Sequence, residues 1–280
     1  MIYCPVCNSN KTKKSFDLEF YTTTNPINTN IYICKNCKIY FRIFKNNFNL
    51  NDHFLASSYT DISSEENYLK ERNMFFKQII KLAENNHPTN NNQHLGGTLL
   101  DFGCSYGHLL DIATMKGFHC KGVELIDHLR ERLKLKYDVY YTTSEIKDNI
   151  FDVITSIDSL YYCTDIIGQM QEFHRILKKD GLLIIRICNR NYFINILRLL
   201  KRKITPKIFG DQLISMNHKS FKILSEKTGF EIKKVIYYQK GINIKRILLW
   251  VGYKIFPLIC KITGLKLTPG IIYVLCKHED

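Results

Sequence analysis

Beyond residue 97 the chain alternates short apolar runs with amphipathic stretches, and this alternation restricts the fold more than any other feature. "GTLLDF", "HCKGVEL", "DVYYTT", "FDVITSI" and "LLIIRIC" read as strands. "HLLDIATMKG", "DHLRERLKLKY" and "IIGQMQEFHRILKKDG" read as helices, the last predicted to run through Lys178 and Lys179 before Gly181 stops it. Strands that alternate with helices build a parallel sheet covered on both faces, because a parallel pair needs a crossover long enough for a helix. The tail continues with a basic helix, "NYFINILRLLKRK", a helix "SFKILSEKTGF" ending at Gly229, a strand "EIKKVIYY" and a closing strand "GIIYVLCKH". Between the last two, residues 243–262 carry an apolar stripe at helical spacing that Pro257 would kink. Upstream, "ENYLKERNMFFKQIIKLAEN" is predicted as a helix capped by Ser64, followed by the spacer "NNHPTNNNQHLGG".

The turn between the first strand and its helix, "LLDFGCSYGHLL", carries chemistry. A Gly-rich strand-to-helix turn in a doubly wound fold lies where ligands bind, at the carboxyl ends of the strands. The dinucleotide pattern G-x-G-x-x-G is absent; the order is Asp101, Gly103, Cys104, Ser105, Gly107, with an acid first. A carboxylate ahead of the loop repels a pyrophosphate and suits a cationic ligand. Glu124 ends "CKGVE", placed to accept ribose hydroxyls. A ligand with a ribose, a positive charge and no need of a phosphate cradle is met by S-adenosylmethionine (SAM).

"LLDFGCSYGHLL", "GVEL", "FDVITSIDSLYYCTD" and "EFHRILKKDGLLIIR" resemble, in order, the motifs of class I SAM-dependent methyltransferases. The resemblance implies an α/β, Rossmann-like, doubly wound and mostly parallel sheet with a last antiparallel strand. It implies that Asp101, Gly103, Cys104 and Gly107 hold the methionine end of SAM, that Glu124 holds the ribose and that Leu125 borders the adenine. It places Ser144 at the adenine edge, and Ile157 and Asp158 against the cofactor. Ser105 stands where the family has Gly, at a cost if that position requires a positive φ.

Two CxxC pairs, Cys4/Cys7 and Cys34/Cys37, lie 26 residues apart. Two residues between thiolates let both sulfurs point at one ion, and four sulfurs satisfy tetrahedral Zn²⁺ with no open position. The expected role is structural. A ribbon followed by a "YLKER" helix and the methyl-transfer motifs resembles a bacterial and archaeal group common among enzymes that build surface polysaccharides and modified sugars. The predicted organisation is a zinc ribbon over 1–44, a linker and packing helix over 45–97, and a methyltransferase domain over 98–280 with a helical insertion at about 191–264.

The family often has Glu-His after the fourth strand; here Tyr161 and Tyr162 stand there. Tyr162 and His218 are the candidate catalytic groups, with His53 and Tyr59 as residues that could reach the cleft. His174 is read as a packing residue. The expected acceptor is a small molecule, sugar, nucleotide-sugar or glycan intermediate, O-methylated and in some cases phosphorylated. The net charge of +14, with Arg198, Lys201, Arg202, Lys203 and Lys207 in one helix, would suit a phosphorylated acceptor, and the 243–262 stripe a peripheral membrane contact. An RNA methyltransferase and a catalytically silent scaffold are the alternatives; nucleic acid ranks below a small acceptor because the knuckles interleave few basic residues with aromatics. Scattered remaining cysteines among ten, no signal-like leader and no run of 18 apolar residues point to the cytoplasm.

Overall fold

The computed structural model describes residues 1–21, 26–44, 62–86, 97–199, 201, 203–205, 209–238 and 270–278. The expected contributions of His53, Tyr59, Arg202, Lys207 and the 243–262 stripe lie outside these residues.

Seven strands form the main sheet: β4 (Thr98–Phe102), β5 (His119–Val123), β6 (Asp138–Tyr140), β7 (Phe151–Ile157), β8 (Leu177–Cys188), β10 (Phe230–Tyr238) and β11 (Gly270–Lys277). Their order is β10-β11-β8-β7-β4-β5-β6. The β8-β7-β4-β5-β6 ladder is parallel, and β11 runs antiparallel to both of its neighbours. The mostly parallel sheet with a last antiparallel strand is therefore present. From β4 the chain builds outward through β5 and β6, then returns to place β7 on the opposite side. The strand order reverses between β4 and β7, and this is where such sheets open a crevice.

Alternating side chains feed two cores. Leu99, Val153, Ile184 and Ile272 face α1 (Ile62–Asn86) and α2 (His108–Met115), packing with Phe75, Phe76, Ile79, Ile80, Leu109 and Leu110. Leu100, Ile154, Leu183, Ile185 and Tyr273 face the opposite layer, with Phe173 of α4 (Ile166–Ile176) and Phe221 and Leu224 of α6 (His218–Lys227). Helix α3 (Asp127–Lys134) connects β5 to β6.

Three expectations change. The helix predicted through Lys179 ends at Ile176, and Lys178, Lys179 and Gly181 belong to β8. Pairing of Leu177 with Phe151, a shift in register, and a Lys178–Asp152 ion pair of 2.8 Å draw that segment into the sheet. Ser64 lies inside α1 rather than at its cap. The span taken as a helical insertion holds α5 (Asn191–Leu199) and α6, and it also supplies strands β9 (Ile214–Ser215) and β10.

The N-terminal strands β1 (Thr12–Tyr21), β2 (Pro26–Cys34) and β3 (Tyr40–Phe44) form an antiparallel meander that β9 completes, with Tyr40 opposite Ser215 and Phe41 opposite Ile214. The N-terminal sheet thus takes its fourth strand from the far half of the chain. Buried Arg42 fastens the joint. Its guanidinium donates to Thr29 Oγ1 (2.7 Å) and to the Gly210 carbonyl (2.9 Å), and it lies over the Phe20 ring. Arg198 of the basic helix donates to Tyr40 Oη at 3.0 Å, so that end of the helix is engaged with β3.

Candidate active site

At the switch point lies a cleft of about 1030 Å³. Its floor is the loop after β4. Gly103 has φ +75 and would place a Cβ against the Ser159 side chain, so only glycine fits there. Its amide donates to the Val123 carbonyl at 2.8 Å, as does that of Cys104 at 3.1 Å, which pins the loop to the end of β5. Ser105 has φ +50, so the serine does occupy a left-handed position.

Glu124 holds this loop together. One carboxylate oxygen accepts from the Ser105 amide (2.7 Å) and the other from the Ile126 amide (2.9 Å). The side chain is buried, yet it borders the cleft. Burial raises its carboxyl above the usual range, against the pull of the Ile126 and Ser105 amides. Its spacing in the sequence pointed to a ligand contact; the tertiary structure adds a staple between two strand-end loops.

Asp101 lies beneath the loop, not on the cleft wall. It is 4% exposed and accepts from Thr155 Oγ1 at 2.7 Å. Burial pushes its carboxyl up to about 7, with the Thr155 bond opposing and the Glu124 charge adding to the rise. Cys104 and Gly107 are also behind the wall, whereas Gly103, Glu124, Leu125, Ser144, Ile157 and Asp158 line the cleft. Asp101, Cys104 and Gly107, expected at the methionine end, thus sit behind the cleft lining and next to the loop that forms it.

Asp158, at φ +60, receives two guanidiniums. Arg72 of α1 donates to one oxygen at 2.8 Å, and Arg186 of β8 pairs with the other. Burial alone would raise the Asp158 carboxyl, but the charges and bonds of Arg186 and Arg72 hold it below the usual carboxylate range. Neither arginine stood out in the sequence. One lies in a helix and the other in a strand, 114 positions apart, and no spacing rule connects them.

Tyr161 and Tyr162 form the wall beside this cluster, their rings 4.7 Å apart. Tyr162 Oη donates to Asp211 at 2.7 Å. Asp211 was not singled out in the sequence; it stands behind Tyr162 rather than on the cleft wall, in a segment whose Leu213 amide bonds the Tyr161 carbonyl at 3.1 Å. His218 does not line the cleft. It sits at the start of α6, with Nδ1 3.1 Å from Tyr273 Oη and its ring stacked on that tyrosine over the sheet. The candidate base at His218 thus contacts Tyr273 and stands outside the cleft lining. His174 packs edge-on against Phe230, as expected of a packing residue.

The four knuckle cysteines converge, with all four Sγ atoms within 4.8 Å of one another. Cys4 and Cys37 are 3.5 Å apart, and Cys7 and Cys34 are 3.6 Å apart. Tetrahedral zinc with Zn–S bonds of about 2.3 Å requires S···S edges of about 3.8 Å. The donor set therefore fits a structural Zn²⁺. The knuckles are copies of one turn: Asn8 and Lys38 each follow the second cysteine at positive φ and bond back to the first cysteine's carbonyl at 3.0 Å. The second knuckle is also gripped from the far half of the chain, where Asn217 Nδ2 donates to the Lys38 carbonyl and Lys219 to the Asn36 carbonyl. No helix among the described residues is long and apolar enough to cross a membrane.

The sequence profile of the family described as "Methyltransferase domain" matches residues 68–235, more than half of the chain. No curated protein matches the chain in sequence. Among solved structures, a chain of the complex between the Haloferax volcanii Trm112 methyltransferase activator and a protein classed as a methyltransferase is similar. It is 12% identical, with a TM-score of 0.54, over 79% of this chain and 98% of that one. A protein of Listeria monocytogenes classed as a SAM-dependent methyltransferase is 17% identical, with a TM-score of 0.49, over 66% of this chain and 92% of that one. At such identities the likeness concerns the fold, and the profile match carries the assignment. The chain therefore belongs to the methyltransferase domain family and is a SAM-dependent methyltransferase.

Proposed function

We propose that this enzyme O-methylates a small hydroxyl-bearing acceptor, a sugar, nucleotide-sugar or glycan intermediate, held on the β7–β8 side of the cleft. When bound, SAM supplies an electrophilic methyl group together with its own leaving group. Glu124, Leu125 and Ser144 line the β5–β6 side and would hold the nucleoside. Gly103, Ser105 and Ile157 would hold the methionine end, with Asp101 contributing negative potential from beneath rather than by contact. The division of the wall at the switch point into these two sides supports this orientation.

The observation that carries the acceptor reading is the Tyr162–Asp211 pair. Aromatic faces at Tyr161 and Tyr162 suit a sugar ring. As the acceptor hydroxyl attacks the methyl group, its proton would pass to Tyr162 Oη while the Tyr162 proton passes along its hydrogen bond to Asp211. Asp211 is exposed and can pass that proton to solvent. We further assign Cys4, Cys7, Cys34 and Cys37 to a structural Zn²⁺, which would hold the ribbon against β9 and so support the segment carrying Asp211.

The test is radiolabelled methyl transfer from SAM to a panel of sugars, sugar nucleotides and RNA. Incorporation into a sugar-bearing acceptor, reduced in Tyr162→Phe, is expected. Incorporation into RNA alone, lost steeply with salt, would replace the sugar reading with the nucleic-acid one.

A further inference from the structure

The arginine pair at Asp158 has more donors than the described protein uses. Arg72 makes one hydrogen bond, through Nη1 to Asp158. Arg186 is bonded through Nη1, to Asp158 and Cys188, and its Nε is buried with no acceptor among the described residues. Among the described residues, these two guanidiniums therefore share a single carboxylate, which offsets one of their two positive charges. The Arg72 side chain is 28% exposed and that of Arg186 is 16% exposed, and both line the cleft. Arg190 lines the same wall. Each guanidinium is also seated on an aromatic ring, Arg72 over Tyr68 and Arg186 over Phe75, which fixes where its plane points.

A buried guanidinium is stable when its charge is matched and its donors are met. Among the described residues both conditions are met only in part, and an anion entering the cleft would complete them. The position in the sheet indicates the source. Arg186 is on β8, on the far side of β7 from Glu124 and Ser105. Arg186 therefore lies on the side of the switch point opposite the acids that suit a cationic nucleoside, and Arg72 reaches it from α1 through Asp158.

We infer that Arg72 and Arg186 form an oxyanion subsite for the acceptor, binding a carboxylate or phosphate group carried by the molecule to be methylated. This inference rests on the methyl-transfer reading and narrows its substrate class to anionic acceptors such as sugar phosphates and sugar acids. Asp158 is a positioning residue within it: it holds one guanidinium on each of its two carboxylate oxygens and offsets half of their charge. The methionyl carboxylate of SAM is the other oxyanion that could reach the pair, and the test separates the two.

Protein saturated with S-adenosylhomocysteine, which retains that carboxylate, is titrated calorimetrically with glucose 1-phosphate, inorganic phosphate and glucose at matched ionic strength. The wild type should bind both phosphates saturably and glucose more weakly. Arg186→Met and Arg72→Met should each weaken phosphate binding by about tenfold or more, the worth of one charge-assisted hydrogen bond. Asp158→Asn should tighten it, because the charge it offsets is released. That opposite sign guards against a loss caused by misfolding alone. Phosphate affinity unchanged within twofold in both arginine variants would overturn the inference. So would weakened S-adenosylhomocysteine binding with phosphate binding untouched, which would give the pair to the cofactor's own carboxylate. If the wild type fails to bind S-adenosylhomocysteine, the methyl-transfer reading falls, and the same titration without it still decides the subsite.

Discussion

Replacing Asp101 with Asn should stabilise the protein above neutral pH and have little effect near pH 4. The Asp101 carboxyl is 4% exposed and titrates at about 7, against 3.8 for the free side chain. Between those values the folded chain keeps a proton that the unfolded chain releases. Stability therefore falls as pH rises through this window, by about 1.4 kcal/mol per pH unit and about 4 kcal/mol in all. The penalty is fully present above pH 7 and absent below about pH 4. Asn cannot ionise, and its amide oxygen still accepts from the Thr155 hydroxyl, 2.7 Å from the carboxylate in the wild type. Urea unfolding of both proteins without ligand, from pH 4.5 to 8.5, would show the variant gaining relative stability across the range with an unchanged m-value. A difference that does not vary with pH would refute the reasoning, because it would mean that Asp101 titrates alike in both states. The stabilised variant should also bind SAM more weakly at pH 8, since the negative potential beneath the loop is lost.

Glu124→Gln should cost about 1–3 kcal/mol in chemical denaturation, because an amide can accept from one of the Ser105 and Ile126 amides but not both; a loss under 0.5 kcal/mol would show that the staple is not needed. Ser105→Gly should relieve the left-handed strain at φ +50 and raise the melting temperature by a few degrees, equivalent to about 1 kcal/mol less the added unfolded-state entropy. Chelation, or Cys34→Ser, should release one zinc per chain, measured by a colorimetric metal assay, and raise amide exchange across residues 209–217, which β3 and the second knuckle hold. Tyr162→Phe should lower kcat by on the order of a hundredfold and leave SAM binding, followed by calorimetry, unchanged.

Local features explain what could be read without coordinates. Strand and helix alternation needs only the periodicity of nearby residues, and it located β4, β5, β7, β8, β10 and β11. The two CxxC pairs each fold as a self-contained turn, so spacing alone announced them. Where local preference met tertiary pairing, pairing prevailed: Leu177 and Lys178 suit a helix, but their partners Phe151 and Asp152 were already in the sheet.

By itself, the sequence determined the doubly wound class, the position of the Gly103–Gly107 loop, the acid at Glu124 and the two CxxC knuckles, because each depends on residues within one turn or one strand end. Only the tertiary structure decided what those residues face. It buried Asp101 under the loop, turned Glu124 into a staple, moved His218 onto Tyr273 and brought Arg72, Asp158 and Arg186 together. It also borrowed β9 to complete the N-terminal sheet. These outcomes depend on which chain segments meet across the sheet, and such meetings are set by burial and charge matching over long sequence separations that no local pattern encodes.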